Sequence, residues 1–226
     1  MPSSNDDFQI QIEDVSQWDP PEGQQGQGMM LHTTRGDIET ILHSDTDEPP
    51  TRAILWVWGA RGGFDGPAGG IFGNLAEELK GRLTSLRVNY RNPAVLAESV
   101  MDTLAAISFL KATGHVEVVL VGHSFGGAVV ITASTLSPLV KAVVALSSQT
   151  AGASGAGRVS PRPLLLVHGG DDSRLGAQCS EQIFEWAKEP KEIVIYPGAG
   201  HGLNECKDEL HDLLGKWIPE RFEIKQ

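Results

Sequence analysis

The chain has 226 residues, 29 of them acidic and 18 basic, for a formal net charge of −11. That excess of negative charge repels nucleic acid and anionic bilayers, so neither is expected as a partner. Its apolar runs fall well short of the ~20 residues a membrane-spanning helix needs, and the start, Met1-Pro2-Ser3-Ser4-Asn5-Asp6-Asp7, lacks the basic and apolar segments of a secretory leader.

Two cysteines, Cys179 and Cys206, stand singly with no C-x-x-C spacing, and they read as reduced thiols of a cytoplasmic protein. The length suits one α/β domain, burying roughly 70 to 75% of the surface its unfolded chain exposes.

Residues 1–28 are polar and contain Gln24-Gln25-Gly26-Gln27-Gly28, so they read as an N-terminal extension, mostly a flexible lead-in, ahead of a single domain over residues 29–226. Within that extension Phe8, Ile10 and Ile12 alternate with Gln9 and Gln11, the pattern of a short edge strand. Residues 29–34 and 37–43 flank Arg35-Gly36 and suggest an antiparallel hairpin, with a loop over residues 46–50.

Residues 53–58 show no apolar/polar alternation, as expected for a strand buried on both faces of a parallel sheet. A loop with six glycines between residues 59 and 70 follows, then a helix over residues 71–80 and a strand over residues 83–89. Leu96, Val100, Leu104, Ile107 and Leu110 recur every three or four residues, the spacing of an amphipathic helix.

Next come a strand over residues 116–121, a helix over residues 125–135 and a strand over residues 140–146. A Ser/Gly/Pro-rich connection over residues 149–163, in which Ser154 reads as plain loop, leads to a strand over residues 164–168. Helix 177–188, strand 192–196 and helix 205–217 complete the chain. Strands that alternate with helices imply a mostly parallel central sheet with helices on both faces.

The chain's chemistry centres on Gly122-His123-Ser124-Phe125-Gly126. The G-x-S-x-G pattern alone is weak in a chain with 26 glycines. A strand directly before it and a helix directly after it are the context that lifts Ser124 out of the main chain as an exposed nucleophile. A serine hydroxyl needs a general base within hydrogen-bond reach, and the base needs a carboxylate to fix its tautomer.

His201, in Pro197-Gly198-Ala199-Gly200-His201-Gly202, follows a strand at the end where open α/β sheets place their sites. His123 is expected to point away from its neighbour Ser124, and His168 and His211 read as packing or surface residues. The acid is expected from His168-Gly169-Gly170-Asp171-Asp172, where two adjacent carboxylates leave a choice between Asp171 and Asp172. The oxyanion donors are expected to be the backbone N–H of Phe125, at a helix amino terminus, and that of Ala60, with Arg61 as the alternative. Trp58, Phe64 and Phe72 fall near this site.

These residues resemble the α/β-hydrolase superfamily, and within it small lidless serine esterases and dienelactone-hydrolase-like members, over about residues 29–217. Ser124, Asp172 and His201 follow the family order Ser…Asp…His. In many relatives the acid is the fifth position of an H-G-x-x-D stretch, which favours Asp172 here. Leu86-Arg87-Val88-Asn89-Tyr90-Arg91 also looks like the family's strand-end segment.

The chain departs from relatives in having Trp58-Gly59 where His-Gly is usual, and in a serine where true dienelactone hydrolases use cysteine. The connection over residues 149–163 is too short for a helical cap. The resemblance implies a serine hydrolase acting on small or medium-sized carboxylic esters as small-molecule substrates, as monomer or homodimer, with no cofactor and no metal. A thioesterase or a peptidase/amidase on the same triad, and a non-catalytic protein that kept the fold, are the alternatives.

Overall fold

The computed structural model describes residues 9–44 and 50–223. Phe8, in the expected edge strand, and residues 46–49 of the expected loop lie outside them. Among the described residues nine strands form one sheet: β1 (Ile12–Trp18), β2 (Gln27–Thr33), β3 (Ile38–His43), β4 (Arg52–Val57), β5 (Thr84–Asn89), β6 (Glu117–His123), β7 (Val140–Leu146), β8 (Leu164–Gly169) and β9 (Lys191–Tyr196). Their spatial order is β1-β2-β3-β5-β4-β6-β7-β8-β9. The first three strands pair antiparallel, β3 joins β5 antiparallel, and every pair from β5 across to β9 is parallel.

Five helices among the described residues cover the faces: α1 (Ile71–Leu79), α2 (Leu96–Ala112), α3 (Phe125–Ser134), α4 (Gln178–Trp186) and α5 (Lys207–Arg221). The central strands have no polar face because alternate side chains enter two different cores. Leu55, Val57, Val118 and Leu120 pack with residues of α2, α3 and α4, whereas Ile54, Trp56, Val119 and Val121 pack with α1 and α5. The chain leaves β4 for β5 on one side and returns to β6 on the other, so a crevice opens beyond the carboxyl end of β4.

Two sequence expectations need correction. The stretch read as a flexible lead-in supplies β1, paired with β2 from Ile12↔Thr33 to Trp18↔Gly28. This strand lies further along the chain than the alternation of Ile10 and Ile12 suggested. An edge strand only partly covered on its faces needs no strict alternation, so backbone pairing placed it without leaving a pattern. Ser154, read as plain loop, opens a 3-10 turn over Ser154–Arg158. That turn is the only regular element between β7 and β8 among the described residues, which leaves the sheet end without a cap.

The rest of the lead-in is tied to the sheet by Arg87 of β5, which is buried. Its Nη1 donates to Gln24 Oε1 at 2.7 Å and to the Phe64 carbonyl at 3.4 Å, its Nη2 to the Gln25 carbonyl at 2.7 Å, and its Nε to His43 Nε2 at 3.1 Å. His43 must therefore be unprotonated at Nε2, and its Nδ1–H donates to Glu77 Oε1 at 2.6 Å. Burial first and the Arg87 charge second push its pKa from 6.5 down to about 4, against the pull of Glu77.

Because the folded value lies below the unfolded one, neutral His43 stabilises the fold fully above pH 6.5. That contribution, on the order of 3 kcal/mol, is lost as pH falls toward 4. Thermal melts between pH 7.5 and pH 4.5 should show a falling Tm. A His43→Leu variant should melt lower at pH 7.5 but lose less on acidification; an equal loss in both proteins would show that His43 is not the acid-sensitive group.

Candidate active site

Ser124 sits between β6 and α3 at φ 57° and ψ −119°, a backbone conformation that L-residues rarely adopt. The turn closes because its neighbours lack side chains. A Cβ on Gly122 would lie 2.1 Å from the Gly126 carbonyl oxygen, and one on Gly126 would lie 2.2 Å from that of Trp58. The Ser124 N–H donates to the Leu146 carbonyl at 2.8 Å, which locks the turn to β7.

The structure brings Ser124, His201 and Asp172 together. Ser124 Oγ–H donates to His201 Nε2 at 3.0 Å, and His201 Nδ1–H donates to Asp172 Oδ2 at 2.7 Å. The tautomer follows from the partners, since an ionised carboxylate can only accept. Asp171, the alternative acid, is exposed and uses its N–H to hold the Ala199 carbonyl at 2.9 Å.

Burial alone would raise the Asp172 pKa. The Leu175 and Arg174 N–H groups, donating to Oδ1 at 2.9 and 2.8 Å, together with His201 outweigh that effect and hold it below the usual carboxylate value. The group is thus a buried anion with every contact a donor.

His168, which reads from the sequence as a packing or surface residue, is one of those donors. Its Nε2–H is shared between Asp172 Oδ2 at 3.1 Å and the Leu175 carbonyl at 2.8 Å, while Ser180 Oγ lies 2.6 Å from Nδ1. The spacing of four residues between His168 and Asp172 was visible in H-G-x-x-D. The fold of the β8 loop back onto its own strand end was not.

His123 is a second departure. It does not point away from the site: its Nε2–H donates to the His201 carbonyl at 2.9 Å, and the two rings lie 4.9 Å apart. In a regular strand consecutive side chains take opposite faces. The left-handed φ at Ser124 breaks that alternation and lets both side chains reach the His201 loop.

The glycine-rich loop after β4 is held from β5. Tyr90 Oη–H donates to the Trp58 carbonyl at 3.2 Å, Asn89 Oδ1 accepts the Gly63 N–H at 2.7 Å, and Arg87 reaches the Phe64 carbonyl as described. At its far end the Ala68 N–H donates to the Gly202 carbonyl at 2.7 Å, joining this loop to the one that carries His201.

Among the described residues, neither the Phe125 nor the Ala60 N–H donates to a protein acceptor. Ala60 and Arg61 both line a cleft of about 560 Å³, with Trp58, Pro67, Arg174 and Asn204 among its other walls and Ser124, His123 and His201 also on its lining. Phe64 and Phe72 do not line it. Phe64 is buried against Trp18, and Phe72 against Trp56 in the core. Among the described residues no group of three or more His, Cys, Asp or Glu side chains could hold a metal ion, and no helix is long and apolar enough to cross a membrane.

A mostly parallel sheet with its serine turn after β6, carboxylate after β8 and histidine after β9 defines a protein of the α/β-hydrolase fold. The chain belongs to the dienelactone hydrolase family, whose sequence model matches residues 86–216. Among solved structures it is similar to Est1E from Butyrivibrio proteoclasticus, with a TM-score of 0.75 at 15% identity over 87% of this chain and 99% of that one. It is also similar to a dienelactone hydrolase from Anabaena variabilis, with a TM-score of 0.74 at 18% identity over 91% and 98% of the two chains. The uncharacterized protein YfhR of Escherichia coli is 30% identical over 126 residues, a match that spans 44% of each protein.

The Asp171/Asp172 arrangement has a spectroscopic consequence. The His201 Nδ1–H should give a low-field proton resonance that persists in Asp171→Asn and disappears in Asp172→Asn; the reverse pattern would assign the contact to Asp171.

Proposed function

We propose that this protein is a serine hydrolase that cleaves carboxylic esters of small or medium size through an acyl-enzyme. The observation that carries the reading is the unbroken relay Asp172–His201–Ser124 at 2.7 and 3.0 Å on the wall of an uncapped cleft. Ser124 Oγ attacks the acyl carbon while its proton passes to His201 Nε2. Asp172 holds the imidazole and stabilises its positive form. The tetrahedral oxyanion is held by the Phe125 N–H, at the positive end of α3, and by the Ala60 N–H.

Collapse of that intermediate breaks the ester C–O bond, and His201 returns the proton to the leaving alkoxide. Water then repeats the sequence on the acyl-enzyme: His201 takes its proton, the acid leaves, and Ser124 regains its hydrogen.

Two observations bear on the substrate. The cleft holds about 560 Å³ and no helical cap closes it among the described residues, which suits small or medium-sized acyl groups rather than long chains. Arg61 and Arg174 line it and form no ion pair among the described residues, although the chain as a whole is strongly acidic. With Cys179 and Cys206 both free, the proposal places the enzyme in a reducing compartment, the cytoplasm, acting on a small molecule without a cofactor. Thioesters fit the same chemistry; amides demand protonation of a poorer leaving group by His201 and are the second choice.

The test is intact-mass analysis after treatment with a fluorophosphonate, on the native protein and on Ser124→Ala. One adduct is expected on the native protein and none on the variant. Matched ester and anilide substrates should then show hydrolysis of the ester alone, lost about 10⁴-fold or more in Ser124→Ala. A folded native protein that takes no adduct would overturn the mechanism and leave a non-catalytic binding role.

A further inference from the structure

The relay accounts for the imidazole of His201 but not for what fixes the backbone that carries it. That backbone lies in a loop: the Leu203 N–H donates to the Gly200 carbonyl at 3.1 Å within the turn, and three contacts from groups beyond the turn hold residues 200–202 in place. The Gly200 N–H donates to Glu205 Oε2 at 3.0 Å, the Gly202 carbonyl accepts from the Ala68 N–H at 2.7 Å, and the His201 carbonyl accepts from His123 Nε2 at 2.9 Å. The first anchor is exposed and the second belongs to a neighbouring loop. Only the third comes from the serine turn itself.

The third contact is unusual in its economy. Two consecutive side chains grip one residue at both ends: Ser124 Oγ bonds the ring of His201, and His123 Nε2 bonds its carbonyl. The nucleophile and the anchor share a peptide unit whose backbone is locked by Gly122, Gly126 and the Leu146 carbonyl. Any displacement of the His201 backbone therefore changes both contacts at once.

His123 is only 5% exposed, and its Nδ1 is buried without a hydrogen-bond partner among the described residues. A residue needed solely for packing here would be Leu or Phe, with no nitrogen to strip of water. The donated bond also requires the Nε2–H tautomer. Burial above all, reinforced by the nearby His201, lowers the pKa of His123 to about 4 despite the carbonyl contact and the Asp172 charge, so the ring is neutral at neutral pH.

We infer that His123 is a positioning residue for the base: its Nε2–H sets the height of the His201 backbone and thereby the reach of the imidazole to Ser124. The inference rests on the serine-hydrolase reading for its effect on rate, but not for its effect on the loop.

The test compares His123→Gln, His123→Asn and His123→Phe. The side-chain nitrogen of Gln reaches the place of imidazole Nε2, whereas that of Asn reaches only the place of Nδ1. With an activated ester, the Asn and Phe variants should lose about 10- to 100-fold in kcat with KM changed less than about twofold, and Gln should recover most of the loss. The second readout needs no substrate. The low-field Nδ1–H resonance of His201 should survive in Gln and broaden away in Asn and Phe, as the freed loop lets the proton exchange with water.

Should Phe fail to fold, the contrast between Gln and Asn decides the matter. A resonance retained in every folded variant overturns the inference, as does equal kcat in Gln and Asn. A native protein that keeps the resonance yet hydrolyses no ester and takes no fluorophosphonate counts against the proposed function alone.

Discussion

The site depends on one constraint, the close approach of three backbone segments around Ser124. The carbonyls of Trp58 and Gly126 lie just over 2 Å from where side chains on Gly126 and Gly122 would begin. Only glycine permits that approach, and with it Ser124 takes a positive φ of 57°. From this turn follow the exposure of Oγ, the direction of α3 with the Phe125 N–H at its start, and the unexpected position of His123. The energy stored in the turn is offset by the buried strands on either side, whose side chains fill two separate cores.

A second layer is electrostatic. Asp172 is a buried anion, which is stable only because four donors surround it: two backbone N–H groups and two imidazoles. The backbone donors come from the residues just after it, so the loop turns around its own carboxylate. The two histidines share the remaining oxygen, His201 at 2.7 Å and His168 at 3.1 Å. A carboxylate saturated in this way stays charged, the condition that the proposed mechanism sets for it.

The loops form a third layer, and they are joined to one another rather than hung separately from the sheet. Ala68 bonds Gly202, His123 bonds His201, and the end of β5 holds the glycine-rich loop at Trp58, Gly63 and Phe64. The segments that carry Ser124, His201 and Ala60 thus form a closed set of contacts, in which rigidity does not require a cap. Arg87 extends the same scaffold outward to Gln24 and Gln25, so a segment far from Ser124 by sequence stiffens the strand that holds the glycine-rich loop.

The strand–serine–helix turn, the alternation of strands and helices and the order Ser124, Asp172, His201 were legible in the chain because they rest on local patterns: apolar runs, obligatory glycines and residues at strand ends. The polar edge strand β1 left no such pattern, since its place is fixed by backbone pairing with β2. The choice of Asp172 over Asp171 as the partner of His201 came from resemblance rather than from physics, because adjacent carboxylates differ only in which way the folded loop turns them. The parts played by His168 and His123 were not legible in the sequence for a related reason. One depends on a loop folding back on its strand and the other on a backbone angle that reverses strand alternation. The sequence by itself determined which chemical groups stand at the ends of the strands. Tertiary structure decided which of them meet, because hydrogen bonds between residues 29 to 78 positions apart, as from Asp172 to His201 and from His123 to His201, are set by the packing of the sheet and not by spacing along the chain.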